Sequence, residues 1–234
     1  MIKVISFKIC PFVQRVTALL ETKKIPYKIE FISLKDKPQW FLDISPNGQV
    51  PVLITESGVA LFESDAIIEY LEEAYSPLEN NVSFEHKALD RAWSYLAAKN
   101  YLSQCSTMRS PSKEMLDERS NNLSKAFDKI EQALDQGPFF KGETLSNVDI
   151  AWLPLLHRSA MIQKHTCFDF LDRHPKVKAW QKALLESDLP TRSVPDDFEQ
   201  VFTDFYLSDQ TYLGSGNNCE MDSSTQCGGS NCCN

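Results

Sequence analysis

The stretch Ile9-Cys10-Pro11-Phe12-Val13-Gln14-Arg15-Val16 constrains this chain more than any other. It follows a short apolar run, Ile2 to Phe7, and opens a series of inward positions at Val13, Val16, Thr17 and Leu20 with helical spacing. The pattern predicts strand, turn, helix. Pro11 suits a first helical position, where a missing N–H costs no hydrogen bond and the fixed φ is already near the helical value. Cys10 is then placed at the helix entrance, where unpaired amides and the positive end of the helix dipole favour thiolate over thiol. Its pKa is expected below the ordinary ~8.5. Two readings stay open at this point: a nucleophile, or a small buried hydrophobe.

The chain has 234 residues, 42% of them hydrophobic, enough to bury a substantial core as one large domain or two small ones. A net charge of −8 gives no basic footprint for nucleic acid or for an anionic membrane, so neither is expected as a partner. No apolar run approaches the ~20 residues of a membrane span, and Met1 to Phe7 lacks the features of a signal peptide. A cytoplasmic protein is the expectation. Of the seven cysteines, Cys10, Cys105 and Cys167 lie in the body, while Cys219, Cys227, Cys232 and Cys233 crowd the end. Three scattered body cysteines make no disulfide framework, which fits a reducing compartment and favours catalysis by a cysteine at a helix entrance.

Read in order, residues 2–7 are a strand, 12–24 a helix and Tyr27 to Ile32 a second strand. A charged loop with Lys37 leads to a short helix, Pro46-Asn47-Gly48 is a turn, and Gln49 to Ile54 is a strand with Pro51 near its start, a cis bond being allowed there. Gly58 turns the chain into Val59 to Phe62, and Ser64 is expected to cap the helix that follows. The order β-α-β-α-β-β-α predicts an α/β, thioredoxin-like domain over residues 1–76. Beyond a linker at Ser76 to Ser83 the strand signal disappears, and residues 84–207 are expected to be all helical, with long amphipathic helices from Phe84 to Tyr101 and from Lys113 to Leu134 and Pro111 marking the break between them. Ser146 caps an apolar helix, with Asp149 reaching back to it as a capping box. From Gly214 onward glycine, serine, asparagine and cysteine predict a disordered tail, 214–234.

Three segments of the first domain converge along one sheet edge: the Cys10 turn, the Val50-Pro51 turn and the Glu63-Ser64 helix start. Val50 offers backbone groups to a peptide-like ligand, Ser64 a hydroxyl and amides to a carboxylate, and Glu63 an acceptor to an ammonium group. A thiol, a peptide link and an α-amino-acid end together describe glutathione. Taken singly, Pro51 also reads as a strand-start proline, Ser64 as an ordinary cap and Glu63 as a solvated charge.

The segments CPFVQRV, NGQVPVL and ESDAIIEYLEE, followed by an all-helical half with SNVDIAWLPLL, resemble a cytosolic glutathione transferase over residues 1 to about 190. CPF at the turn is similar to the cysteine-type branches, omega above all, with the lambda and dehydroascorbate reductase classes close; LKDKPQWF resembles the omega segment that supplies a lysine. The resemblance implies the two-domain glutathione transferase fold, glutathione as cosubstrate and a homodimer. It implies Cys10 as the thiol that forms a mixed disulfide with glutathione, Phe12 beside it, Lys37 near the glycyl carboxylate, Val50 on the cysteinyl backbone, and Glu63 with Ser64 on the γ-glutamyl end. Val13 stands where a dithiol motif has its second cysteine, so a second glutathione is expected to resolve the mixed disulfide. The chemistry expected is thiol transfer, dehydroascorbate reduction or deglutathionylation, with weak conjugation. The alternatives are a conjugating transferase, a zeta-like isomerase, and a binding protein that keeps the fold without turnover.

Smaller expectations complete the reading. Arg15 is assigned to a solvated face, Cys105 and Cys167 are read as packed or idle thiols, and Trp152 and His157 as core. His86, His157, His165 and His174 show no metal-like spacing, and no metal is expected. The tail cysteines suit either a redox-sensitive appendage or a soft-metal site, and Asn231 stands where a prenylation box needs cysteine.

Overall fold

The computed structural model describes residues 1–216. The chain begins as β1 (Ile2–Ser6), α1 (Pro11–Thr22), β2 (Tyr27–Phe31), α2 (Gln39–Ile44), β3 (Val52–Ile54), β4 (Ala60–Phe62) and α3 (Ser64–Ala74). The sheet runs in the order β2-β1-β3-β4. β1 pairs parallel with β2, Ile2 opposite Tyr27, and antiparallel with β3, Val4 opposite Leu53; β3 and β4 form an antiparallel hairpin. A parallel pair needs a crossover, and α1 supplies it.

The alternation of β1 assigns the two faces of the sheet. Ile2 and Val4 join Val13, Val16, Leu19 and Leu20 of α1 in the main core, whereas Ile5 turns to the other face and meets Phe41 of α2 and Val52. α1 and α3 therefore cover one face and α2 the other. β2 is an edge strand, which is why its apolar Ile29 and Phe31 keep 39% and 37% of their surface exposed.

The second half is helical: α4 (Phe84–Met108), α5 (Lys113–Ala133), α6 (Asn147–His165), α7 (Pro175–Glu186), α8 (Leu189–Arg192) and α9 (Phe198–Tyr206). α6 is its axis, with Leu153, Leu155, Leu156 and Ile162 fully buried, each contributing roughly 1.5–3 kcal/mol relative to exposure. Asp149 accepts from the Ser146 N–H at 2.7 Å and the Ser146 hydroxyl at 2.6 Å, the capping box expected from the sequence. It also accepts from the Phe140 N–H at 2.8 Å and the Trp180 indole at 2.6 Å, so one carboxylate ties the α6 entrance to the preceding turn and to α7.

Three boundaries differ from expectation. α4 continues past Tyr101 to Met108, because the first residue that cannot continue it is Pro111. α8, four residues opened by Pro190 in its first turn, carries too little periodicity to be read in advance. Ser64 is the first helical residue rather than the cap; Glu63 holds the cap position with φ 65° and ψ 118°, and without a side-chain capping bond. The tail expectation, with Cys219, Cys227, Cys232 and Cys233, falls on residues beyond 216 and lies outside the described residues. Gly214 itself closes a turn, its N–H on the Thr211 carbonyl at 3.2 Å. Among the described residues no helix is long and apolar enough to cross a membrane.

Candidate active site

Cys10 occupies the cap position of α1 in extended backbone (φ −73°, ψ 122°), with Pro11 at the first helical position. Its N–H donates to the Phe7 carbonyl at 3.0 Å, and its carbonyl accepts from the Gln14 N–H at 3.1 Å, which fixes the turn on both sides. The sulfur faces the Val50 carbonyl oxygen at 4.0 Å, the reach of a weak S–H···O bond. β3 starts at Val52, so Val50 lies outside the ladder, and its bond to buried Pro51 is cis.

Cys10, Phe12, Lys37, Val50, Glu63 and Ser64 all line one cleft of about 280 Å3, together with Pro51, Asn47, Gly48 and Leu102. Every site residue expected for glutathione is thus brought to one cavity. Phe12 leans edge-on against Tyr101, ring centroids 5.0 Å apart, which joins the cleft wall to α4. The Asn47 amide donates to the Glu63 carboxylate at 2.7 Å. Gly48 has φ +57°, a conformation favouring glycine, and a Cβ there would stand 3.7 Å from the Lys37 ammonium. The Pro46-Asn47-Gly48 turn therefore stands between the lysine and the glutamate.

The thiol pKa differs from expectation. Burial pushes the Cys10 thiol up to about 11, and this outweighs the amides of Val13 and Phe12 and the charge of Arg158, which all pull it down. Cys10 touches solvent at the cleft, yet dense protein surrounds it, and desolvation of the anion wins over the helix end. The sequence showed the amides; it could not show the desolvation.

Arg158 of α6 was hidden in an apolar helix, and no sequence signal marks it. It is fully buried, donates to the Ile9 carbonyl at 2.9 Å and to the Pro154 carbonyl at 3.0 Å, and also bonds the Gln14 side-chain oxygen. Gln14 in turn contacts His157 Nδ1 at 2.9 Å and Ser193 Oγ at 3.3 Å. The two halves of the chain are joined by this polar network directly behind the cysteine turn. Trp152 and His157 are packed in the core, as expected.

Two expectations are corrected. Arg15 is not on a solvated face: its side chain is buried and pairs with Asp65 in the first turn of α3. Cys167 is not an idle thiol but disulfide-bonded, and the free cysteines among the described residues are Cys10 and Cys105. A second cleft of about 370 Å3 between α3 and α4 is lined by Glu69, Glu72, Glu73, Arg15, Lys87 and Arg91. No cysteine lines it, and its charges are paired in part with each other, Arg91 donating to Glu69 at 2.7 Å. Among the described residues no three His, Cys, Asp or Glu side chains gather as a metal site.

Comparisons with known proteins place the two halves in one family. Residues 9–74 match the family model "Glutathione S-transferase, N-terminal domain" and residues 116–183 match "Glutathione S-transferase, C-terminal domain". Glutathione S-transferase omega-1 of Sus scrofa is 32% identical, over 88% of this chain and 86% of the relative. Glutathione S-transferase DHAR2 of Arabidopsis thaliana is 32% identical over 76% of this chain and 81% of its own. Among solved structures, glutathione transferase Omega 3C from Trametes versicolor superposes with a TM-score of 0.69 at 27% identity, over 82% of this chain and 88% of that one. The thioredoxin-like half, the helical half and relatives that match across most of their length lead to one conclusion: this chain belongs to the glutathione S-transferase family.

Proposed function

We propose that the protein is a glutathione-dependent thiol transferase and reductase that works through a Cys10–glutathione mixed disulfide. The observation that carries this reading is that Cys10, a nucleophile rather than a bare hydroxyl, lines the same cleft as Lys37, the Val50 backbone, Glu63 and Ser64. Its relatives named omega-1 and DHAR2 support it. Glutathione bound there sets its glycyl carboxylate toward Lys37, its cysteinyl backbone against Val50, and its γ-glutamyl end toward Glu63 and Ser64, with Phe12 beside the sulfurs.

In the first step the Cys10 thiolate attacks the glutathionyl sulfur of a mixed disulfide. The Cys10–glutathione S–S bond forms, the old S–S bond breaks, and the other thiolate leaves and takes a proton. The thiolate of a second glutathione then attacks the bound glutathionyl sulfur, releasing Cys10 and oxidised glutathione. Val13, in the position of a resolving cysteine, is an apolar core residue, which supports this intermolecular resolution. With dehydroascorbate as oxidant, the two glutathiones supply the two electrons and two protons.

The domain division that goes with this reading is 1–76 for glutathione and 84–207 for the second substrate, in a cytoplasmic homodimer. The raised thiol favours one alternative: a protonated Cys10 donates a hydrogen bond to a glutathione thiolate, as a conjugating enzyme requires.

Incubation of the full chain with oxidised glutathione, followed by mass analysis of the Cys10-containing peptide, tests the reading. A glutathione adduct on Cys10, with thiol transfer lost in Cys10→Ser, is the expected result. No adduct on that peptide, with conjugating activity retained or raised in Cys10→Ser, would overturn it in favour of conjugation.

A further inference from the structure

The Arg158 guanidinium is fully buried, yet no carboxylate among the described residues pairs with it. Its hydrogen bonds go to neutral acceptors, the carbonyls of Ile9 and Pro154 and the side chain of Gln14, and its Nε has no hydrogen-bond partner. The Phe198 ring lies 5.4 Å from its central carbon. A buried charge without a counter-ion is costly, and neutral acceptors offset only part of that cost. Such a group is retained where an anion forms beside it.

We propose, resting on the thiol-transfer reading above, that Arg158 is the positioning residue of Cys10: it holds the turn through the Ile9 carbonyl and Gln14, and its unneutralised charge favours the anionic sulfur. Ile9 immediately precedes the nucleophile, and Gln14 donates its N–H to the Cys10 carbonyl, so two of the three acceptors of Arg158 belong to the turn that sets the sulfur. The titratable groups facing this region are few. α4 brings Tyr101 and Cys105, α9 brings Tyr206, α6 brings His157 beside Arg158, and the cleft adds Lys37 and Glu63. Burial pushes both phenols up and His157 down, so all three are neutral at working pH. Cys105 also faces Arg158 but does not line the cleft, so Cys10 is the thiol in the cleft whose charge Arg158 is placed to favour. The arrangement lets the sulfur be desolvated in a glutathione cleft while thiolate remains within reach at the moment of attack.

The test is the pH dependence of iodoacetamide alkylation, read on the Cys10-containing peptide of the full chain, for wild type, Arg158→Lys and Arg158→Gln. This readout needs no glutathione, so it can fail while thiol transfer stands, and can hold where thiol transfer fails. Arg158→Gln, which keeps a hydrogen-bond donor but loses the charge, is expected to raise the midpoint by about one pH unit, roughly a tenfold loss of thiolate at fixed pH. Arg158→Lys is expected to restore most of it. Equal midpoints in all three, or a rise in Gln that Lys fails to reverse, would overturn the proposal. Should neither variant fold, nitrogen-15 resonances of the Arg158 side chain in wild type decide the matter. They should titrate with the Cys10 midpoint and stay flat in Cys10→Ser, and a flat wild-type profile overturns the proposal too.

Discussion

Arg15, in the second turn of α1, pairs with Asp65 in the first turn of α3, so the helix that Cys10 caps is tied to the helix start at Glu63 and Ser64. The pair is asymmetric: the Arg15 side chain is 3% exposed and Asp65 43%. Removing the acid leaves a buried guanidinium behind, while water already screens part of the attraction. Asp65→Ala is therefore predicted to cost about 1–3 kcal/mol in chemical denaturation. It should also raise KM for glutathione more than it lowers kcat, because the α3 entrance loosens while Cys10 is untouched. Unchanged stability together with unchanged KM would show that the pair positions nothing.

Glu63 adopts φ 65° and ψ 118° at the lip of the cleft, a strained backbone for a residue with a Cβ, and its carboxylate is held by Asn47 at 2.7 Å. Strain of this kind costs on the order of 1–3 kcal/mol and is retained where function demands it. Glu63→Gly relieves the backbone but deletes the carboxylate proposed to accept from the ammonium group of glutathione. It is expected to match or exceed wild type in thermal stability, and to bind glutathione at least about tenfold more weakly, the loss of one charge-assisted hydrogen bond. A variant both less stable and equally tight in binding would contradict both halves of the argument.

Legibility from sequence followed the range of the signals. The strand-turn-helix at Cys10, the hairpin at Gly58 and the capping box at Ser146 are local, and their backbone chemistry is written in adjacent residues. Cys10, Val50, Glu63 and Ser64 were legible because each lies on a turn or helix end whose place in a thioredoxin-like sheet is fixed by topology, whereas Phe12 and Lys37 entered through the family resemblance alone. What stayed hidden depends on distant partners. Arg15 looks like any helical surface charge until Asp65 is brought beside it, and Arg158 is one cation in an apolar helix until Ile9 and Gln14 meet it. The raised thiol of Cys10 has the same origin, since desolvation is a sum over the whole surround.

Asp149 concentrates four donors on one buried carboxylate: the N–H and hydroxyl of Ser146, the Phe140 N–H and the Trp180 indole. Burial raises its pKa and these hydrogen bonds work against the rise. Asp149→Ala strands buried donors on three segments at about 1–3 kcal/mol each, so a total loss of roughly 3 kcal/mol or more is predicted. Ser146→Ala, which keeps the backbone donor, should cost about 1 kcal/mol. None of these partners lines the Cys10 cleft, so in the folded fraction alkylation of Cys10 should proceed at the wild-type rate. A folded Asp149→Ala with slowed alkylation would instead tie the cap to the site.

His157 gives the fold an acid limit. Its ring stacks on Phe198 at 5.1 Å between centroids, and its Nδ1 meets the Gln14 amide at 2.9 Å. Burial first, and the Arg158 charge second, push it down from the ordinary 6.5 to about 3. Between those values the unfolded chain binds a proton that the folded chain refuses, so stability rises with pH across that window. The His157 contribution is complete above about 6.5 and is lost progressively as pH falls toward 3. His157→Gln removes the titration while leaving a polar partner for Gln14. Its stability should therefore fall less steeply than wild type when denaturation midpoints are compared between pH 7 and pH 5, above the range where most carboxylates protonate. Parallel slopes in the two proteins would mean that His157 accepts its proton without unfolding, and that the network behind Cys10 tolerates a second cation beside Arg158.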